Sequence, residues 1–127
     1  MYKFIVLTLW FIVLMILCGF SYTDNPSKWE ITAYCICKKC CGLHANGITA
    51  SGKKIEFGMA ACNWLPFGTK VKIKGFGTFV IEDRGSRSLF GDRNNHIKHL
   101  DIYLPSHSDA VIFGTKWREV EILAEKK

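Results

Sequence analysis

The chain is expected to fold as an all-β domain, mainly strand with one short helix, closed into a six-stranded barrel. Three observations carry that expectation. A length of 127 residues leaves room for one small domain. Beyond the first 21 residues, short runs rich in β-branched and aromatic residues alternate with glycine turns. One stretch alone carries both a helix start and a helix stop. A core built from about 105 residues hides the edges of so many short strands best by closing on itself.

The elements follow in order. Residues 1–21 read as an export segment. Lys3 supplies a positive start, Phe4 to Leu17 an apolar core of 14 residues, and Gly19 and Ser21 the small residues that suit cleavage after Ser21. Two alternatives stay open. The apolar run reaches Phe20, enough for an uncleaved membrane anchor at the short end, and Cys18 offers a lipidation site although Leu17 stands where a small residue is wanted. All three readings place the domain outside the cytoplasm, in the cell envelope or beyond it. Membrane contact is then expected only through this segment.

Residues 22–28 are polar, contain Pro26, and read as a linker to a domain spanning 29–127. Trp29 to Tyr34 is a strand by composition. Residues 35–47, dense in cysteine and glycine, are loop, and Thr49 to Gly52 is a turn or a tight strand end. Val71 to Lys74 alternates apolar and charged residues, Gly75 to Gly77 turns, and Phe79 to Asp83 returns, which makes a hairpin. Arg84 to His99 reads as a long polar loop and Leu100 to Leu104 as a strand. Ser106 with Asp109 three residues on is a capping box, and Gly114 stops the short helix it opens. Trp117 to Leu123 alternates and closes the fold.

Hydrophobic residues make up 49% and charged residues 22%, which excludes collagen-like, low-complexity and wholly disordered chains. The net charge is +6, yet the basic residues are scattered and no helix carries a basic stripe. Anionic polymers of a cell wall therefore suit the charge better than nucleic acid does.

Two aspartates sit where aspartate is unusual. Asp83 ends an apolar strand, and Asp101 lies inside one, a position the residue disfavours. In a strand Leu100, Ile102 and Leu104 face one way, and Asp101 and Tyr103 the other. The plainest reading of that second face is solvent. A carboxyl group held instead in a partly apolar groove keeps its proton to higher pH and can protonate a glycosidic oxygen.

Several pieces, in order and at similar spacing, resemble the three-aspartate domain family, relatives of the catalytic barrel of membrane-bound lytic transglycosylase A. They are Thr32-Ala33-Tyr34, the run from Gly47 to Gly52 and the run from Leu65 to Val71, followed by Gly75-Phe76-Gly77 and Glu82-Asp83-Arg84-Gly85. Leu100-Asp101-Ile102-Tyr103 and Phe113-Gly114 complete them. The resemblance spans about 90 residues. It implies a double-psi β-barrel, export, and a lytic transglycosylase acting on peptidoglycan glycan strands in cell-wall turnover. It implies Asp101 as the catalytic acid and base, with Asp83 in support. Thr32, Tyr34, Thr49, Ser51, Asn63 and Tyr103 are the expected substrate contacts. No cofactor and no metal are expected, and the protein is expected to be a monomer. The chain departs from the family pattern where the first aspartate is usual: Asn63 is nearest, and it cannot act as an acid. Two other functions stay open, a non-catalytic glycan-binding barrel of expansin type and an inverting glycosidase using both aspartates.

Cys35, Cys37, Cys40 and Cys41 are clustered, and Cys62 stands apart. Export favours disulfides among these five. The alternatives are a zinc site on Cys35, Cys37, Cys40 and Cys41, with His44 as a further ligand, or free thiols. His44, His96, His99 and His107 are scattered and read as surface or loop residues. Trp29, Trp64 and Trp117 read first as core, with sugar stacking as the alternative. Arg84, Arg87 and Arg93 read either as a solvated loop or as a rim that meets peptide-stem carboxylates.

Overall fold

A computed structural model of the chain describes residues 27–125. The export segment and residues 22–26 of the linker lie outside the described residues. Among the described residues no helix is long and apolar enough to cross a membrane.

Six strands form the body: β1 (Lys28–Tyr34), β2 (Met59–Ala61), β3 (Lys70–Ile73), β4 (Gly77–Asp83), β5 (His99–Tyr103) and β6 (Lys116–Ala124). Three short helices decorate them: α1 (Lys38–Cys41), α2 (Arg87–Phe90) and α3 (His107–Phe113), with a 3₁₀ turn over Gly42–His44. The strands close into a barrel in the order β1-β5-β2-β4-β3-β6. The β1–β5 and β2–β4 pairs are parallel, and the other pairs are antiparallel.

Alternation builds the interior. Trp29 and Ile31 of β1, Val71 and Ile73 of β3, Phe79 and Ile81 of β4, and Leu100 and Ile102 of β5 point into one core with Ala60, Cys62 and Leu65. Full burial of each large side chain contributes roughly 1.5–3 kcal/mol. The Gly75-Phe76-Gly77 turn joins β3 to β4, and both glycines adopt positive φ, which a side chain would resist. At α3 the side chain of Ser106 accepts the Asp109 N–H, and Gly114 ends the helix at φ 61°.

Two expectations change, and one pair of alternatives resolves. The sixth strand is Met59–Ala61, buried on both faces, so its run shows no alternation to read. Thr49 to Gly52 is a turn rather than a strand end, held by Gly52 N–H donating to Thr49 O and by Thr49 N–H donating to Lys53 O. The 84–99 loop contains α2, and His99 belongs to β5.

Candidate functional site

One transverse row organises the site. On the outer face of the barrel Thr32 of β1 pairs with Asp101 of β5, Asp101 pairs with Ala61 of β2, and Ala61 pairs with Asp83 of β4. Strict alternation would send Asp83 into the core behind Phe79 and Ile81. A register shift prevents this: Ala60 is opposite Ile81, but Ala61 is opposite Asp83, so Glu82 is skipped. A β-bulge of this kind re-aims a side chain, and here it turns Asp83 to the face that carries Asp101. The two aspartates then flank Ala61 at two strand spacings, about 10 Å between backbones.

A cleft of about 740 Å³ covers the Asp101-Ala61-Asp83 part of this row, lined by Tyr34, Ala61, Asp83, Arg84 and Asp101 at its base and by Cys40, Cys41, His44 and Thr49 on one wall; Thr32 lies outside the lining. Leu89 and Phe90 line the other side. The face that carries Asp101 and Tyr103 is therefore not solvated. A second small core of Tyr34, Ile55, Met59, Ala61 and Tyr103 covers part of it, and the cleft opens over the rest.

The aspartates have opposite surroundings. Asp83 is saturated with donors. Tyr34 O–H donates to its Oδ2 at 2.7 Å, and the N–H groups of Ala50 and Arg84 donate to its Oδ1, each at 2.9 Å. Burial, together with the bond to Asp83, holds the Tyr34 phenol far above its ordinary value, so it remains a donor. Asp101 accepts one hydroxyl, Thr32 Oγ1 at 3.0 Å. Burial pushes its carboxyl up to about 6; the Thr32 bond and His99 oppose the rise, and Asp83 adds to it. Asp101 can thus carry a proton near neutrality, while Asp83 acts as a fixed acceptor beside it.

Two residues that sequence reasoning missed complete the site. His99 is buried, with Nε2 2.8 Å from Thr32 Oγ1 and its ring stacked on Phe90 at 4.2 Å. Its signal was parity, because positions 99, 101 and 103 of one strand share a face. Ala61 is the small floor between the carboxylates.

The other predicted contacts divide. Thr49 is buried in the wall and bonded to Ser51 Oγ at 2.9 Å. Tyr103 packs edge-on against Tyr34 at 5.9 Å, supporting the site from beneath. Asn63 lies outside the cleft lining: its amide donates to Gly85 O and Gly91 O at 3.1 and 2.8 Å and accepts Gly85 N–H at 2.9 Å, so it ties down the 85–91 loop. Arg84 lies in the cleft with its guanidinium 3.8 Å from the Phe67 ring centre, while Arg87 pairs with Asp92 and Arg93 is exposed. Trp29 and Trp64 stack on each other at 5.3 Å as core, and Trp117 is exposed on β6.

No protein-family model matches the chain, and no curated protein matches it either. The site itself therefore carries the functional argument.

The cysteines depart from the expected staples. All five among the described residues are free. Cys35 Sγ lies 3.1 Å from Cys37 Sγ and 3.4 Å from Cys40 Sγ, so it approaches two sulfurs, neither at the bonding distance of about 2.05 Å. Hydrogen bonds, first from Cys35, hold the Cys37 thiol down at about 6, and burial pushes Cys35 up to about 12. Cys62 is buried in the barrel core as a small apolar group, its thiol pushed up by burial. Cys41 Sγ turns away to Cys35 O at 3.2 Å. In its place His107 joins Cys35, Cys37 and Cys40, so neither His99 nor His107 is the scattered surface residue expected.

Proposed function

We propose that this barrel is an exported lytic transglycosylase that cleaves the glycan strands of peptidoglycan, with Asp101 as its acid and base. The observation that carries the reading is Asp101 itself: a buried strand carboxyl, raised to about 6, in a cleft and separated by β2 from a donor-saturated Asp83. The closed mixed barrel agrees with the double-psi topology that the resemblance implies, and that topology is part of the proposal.

The chemistry follows from one group used twice. Protonated Asp101 gives its proton to the glycosidic oxygen between N-acetylmuramic acid and N-acetylglucosamine as the bond to the anomeric carbon breaks. The resulting carboxylate then takes the proton of the muramic 6-hydroxyl as that oxygen attacks the same carbon. Proton and electron pairs balance, no water enters, and the product is an anhydro sugar. Asp83, held in place by three donors, favours the protonated form of Asp101 in the first step. The basic balance of the chain, +6, suits an anionic wall.

Purified sacculi, incubated with the wild type and with Asp101→Asn, test the reading by mass spectrometry of the released products. Anhydro-muropeptides are expected from the wild type, with a loss of about 10²–10⁴-fold in the variant. Reducing-end products would instead identify a two-carboxylate inverting hydrolase. Retention on the wall with no soluble product would identify a glycan-binding barrel.

A further inference from the structure

We infer that Cys35, Cys37, Cys40 and His107 form a structural Zn²⁺ site that clamps the cysteine loop to α3 and builds one wall of the cleft. The inference stands independently of the reaction proposed above.

Convergence is the first argument. The three Sγ atoms and His107 Nδ1 all lie within 4.8 Å of one another. His107 Nδ1 is 3.5, 3.3 and 3.5 Å from the sulfurs of Cys35, Cys37 and Cys40. Four ligands around a tetrahedral zinc ion, about 2.3 Å away for sulfur and 2.0–2.1 Å for nitrogen, stand roughly 3.5–3.8 Å apart. The edges at 3.3–3.5 Å need to open by only a few tenths of an ångström, and the Cys35–Cys37 edge, at 3.1 Å, by roughly 0.6 Å. Three soft thiolates and one imidazole select zinc over calcium, magnesium or manganese. With four protein ligands the shell is closed, which is the structural rather than the catalytic form.

Topology explains the convergence. Because β1 and β5 run parallel, the residues after Tyr34 and after Tyr103 leave the barrel at the same end, and Leu104 N–H still donates to Tyr34 O at 2.8 Å. Cys35 follows one strand at once. Pro105 and Ser106 then turn the other chain into α3, whose first residue is His107. Between Cys37 and Cys40 the backbone folds into a tight hook, with the N–H groups of Cys40 and Cys41 both donating to Cys37 O, at 3.1 and 2.8 Å.

Need is the third argument. Neither α1 nor the 3₁₀ turn after it buries a single residue, and Leu43 is fully exposed. Of residues 36–44 only Cys41 packs, partly buried, against an apolar cluster of the described residues. Yet Cys40, Cys41 and His44 form a cleft wall that has to keep its position. A small domain lacking a core at such a point uses a metal or a disulfide, and four groups meeting at one point fit a metal. The ligand set replaces the Cys41 expected from spacing alone by a histidine 66 positions further along the chain.

The full chain, produced reduced and with zinc supplied, tests this by metal analysis. One zinc per chain is expected. Cobalt-loaded protein is expected to show thiolate charge-transfer and tetrahedral d–d absorption. Cys37→Ser and His107→Ala are expected to abolish both, while Cys41→Ser and Cys62→Ser retain them. Removing zinc from the wild type with a chelator is expected to lower Tm on the order of 10 °C. Absence of metal from the wild type, or an octahedral oxygen-type cobalt spectrum, overturns the inference even if every variant misfolds. Metal retained by His107→Ala but lost by Cys41→Ser overturns the ligand set.

Discussion

Asp83 and Asp101 share one neighbour: each is the register partner of Ala61, from opposite sides of β2. The shortest strand of the barrel thereby places a methyl group between two carboxylates. That arrangement makes the aspartates unequal, because the bulge that turns Asp83 outward also delivers it to the N–H groups of Ala50 and Arg84. Among the described residues Asp101 meets no backbone donor, and it keeps the cost of its burial.

That cost predicts a stability signature. Asp101 has a folded pKa of about 6, raised above the unfolded value near 3.8. A raised pKa means that the folded state binds the proton more tightly. The stabilisation is full below about pH 4 and is lost as pH rises through about 6, up to about 3 kcal/mol in all. Asp101→Asn removes this dependence. Thermal melts at pH 4, 5, 6, 7 and 8 are expected to show the variant gaining on the wild type across the window from 4 to 6, then holding a constant offset. Parallel curves across that window would mean that Asp101 is not desolvated.

Thr32 predicts where the pH limb of the proposed reaction falls. Its hydroxyl donates to Asp101 at 3.0 Å and opposes the rise in pKa. Thr32→Val keeps the shape and deletes the donor. The carboxyl of Asp101 then holds its proton to higher pH, and the falling alkaline limb of kcat/KM moves up from about 6. Leaving His99 Nε2 without its hydroxyl partner costs about 1 kcal/mol of stability. A pH–rate profile of the variant on sacculi checks the direction; a limb that moves down contradicts the assignment.

How far these features could be read beforehand depends on periodicity. The β3–β4 hairpin, the Ser106 cap and the strand around Asp101 announce themselves by alternation and turn chemistry. β2 does not, because Met59, Ala60 and Ala61 are covered on both faces. The bulge was invisible too: FVIED runs three apolar residues into two charged ones, and only pairing with β2 reveals that Glu82 is skipped. The cysteine cluster was visible, but its fourth partner was not. His107 reaches it through a parallel strand pair, which no local spacing encodes.

Asn63 separates a structural role from a binding one. As the residue nearest the first aspartate of the family the sequence resembles, it was expected to touch the glycan. Its three bonds instead hold Gly85 and Gly91. Asn63→Ala leaves those backbone groups without their partner and is expected to cost about 2–3 kcal/mol. For a domain near 100 residues this lowers Tm by roughly 10 °C or more. Below the melting range KM for sacculi is expected to stay unchanged. A raised KM with an unchanged Tm would restore Asn63 to the substrate.

Gly85 tests whether the α2 loop transmits its position to Asp101. A Cβ on this residue would overlap the Phe90 ring. Phe90 is stacked on His99 at 4.2 Å, His99 lies 2.8 Å from Thr32 Oγ1, and Thr32 donates to Asp101. Gly85→Ala is therefore expected to cost about 1–3 kcal/mol through overpacking and to reduce turnover although it touches no carboxylate. Making room should undo this. In the double variant Gly85→Ala, Phe90→Leu the loss is expected to be smaller than the sum of the two single-variant losses, a coupling of about 0.5 kcal/mol or more in the thermodynamic cycle. Strict additivity in both Tm and kcat would break the chain of contacts at its first link.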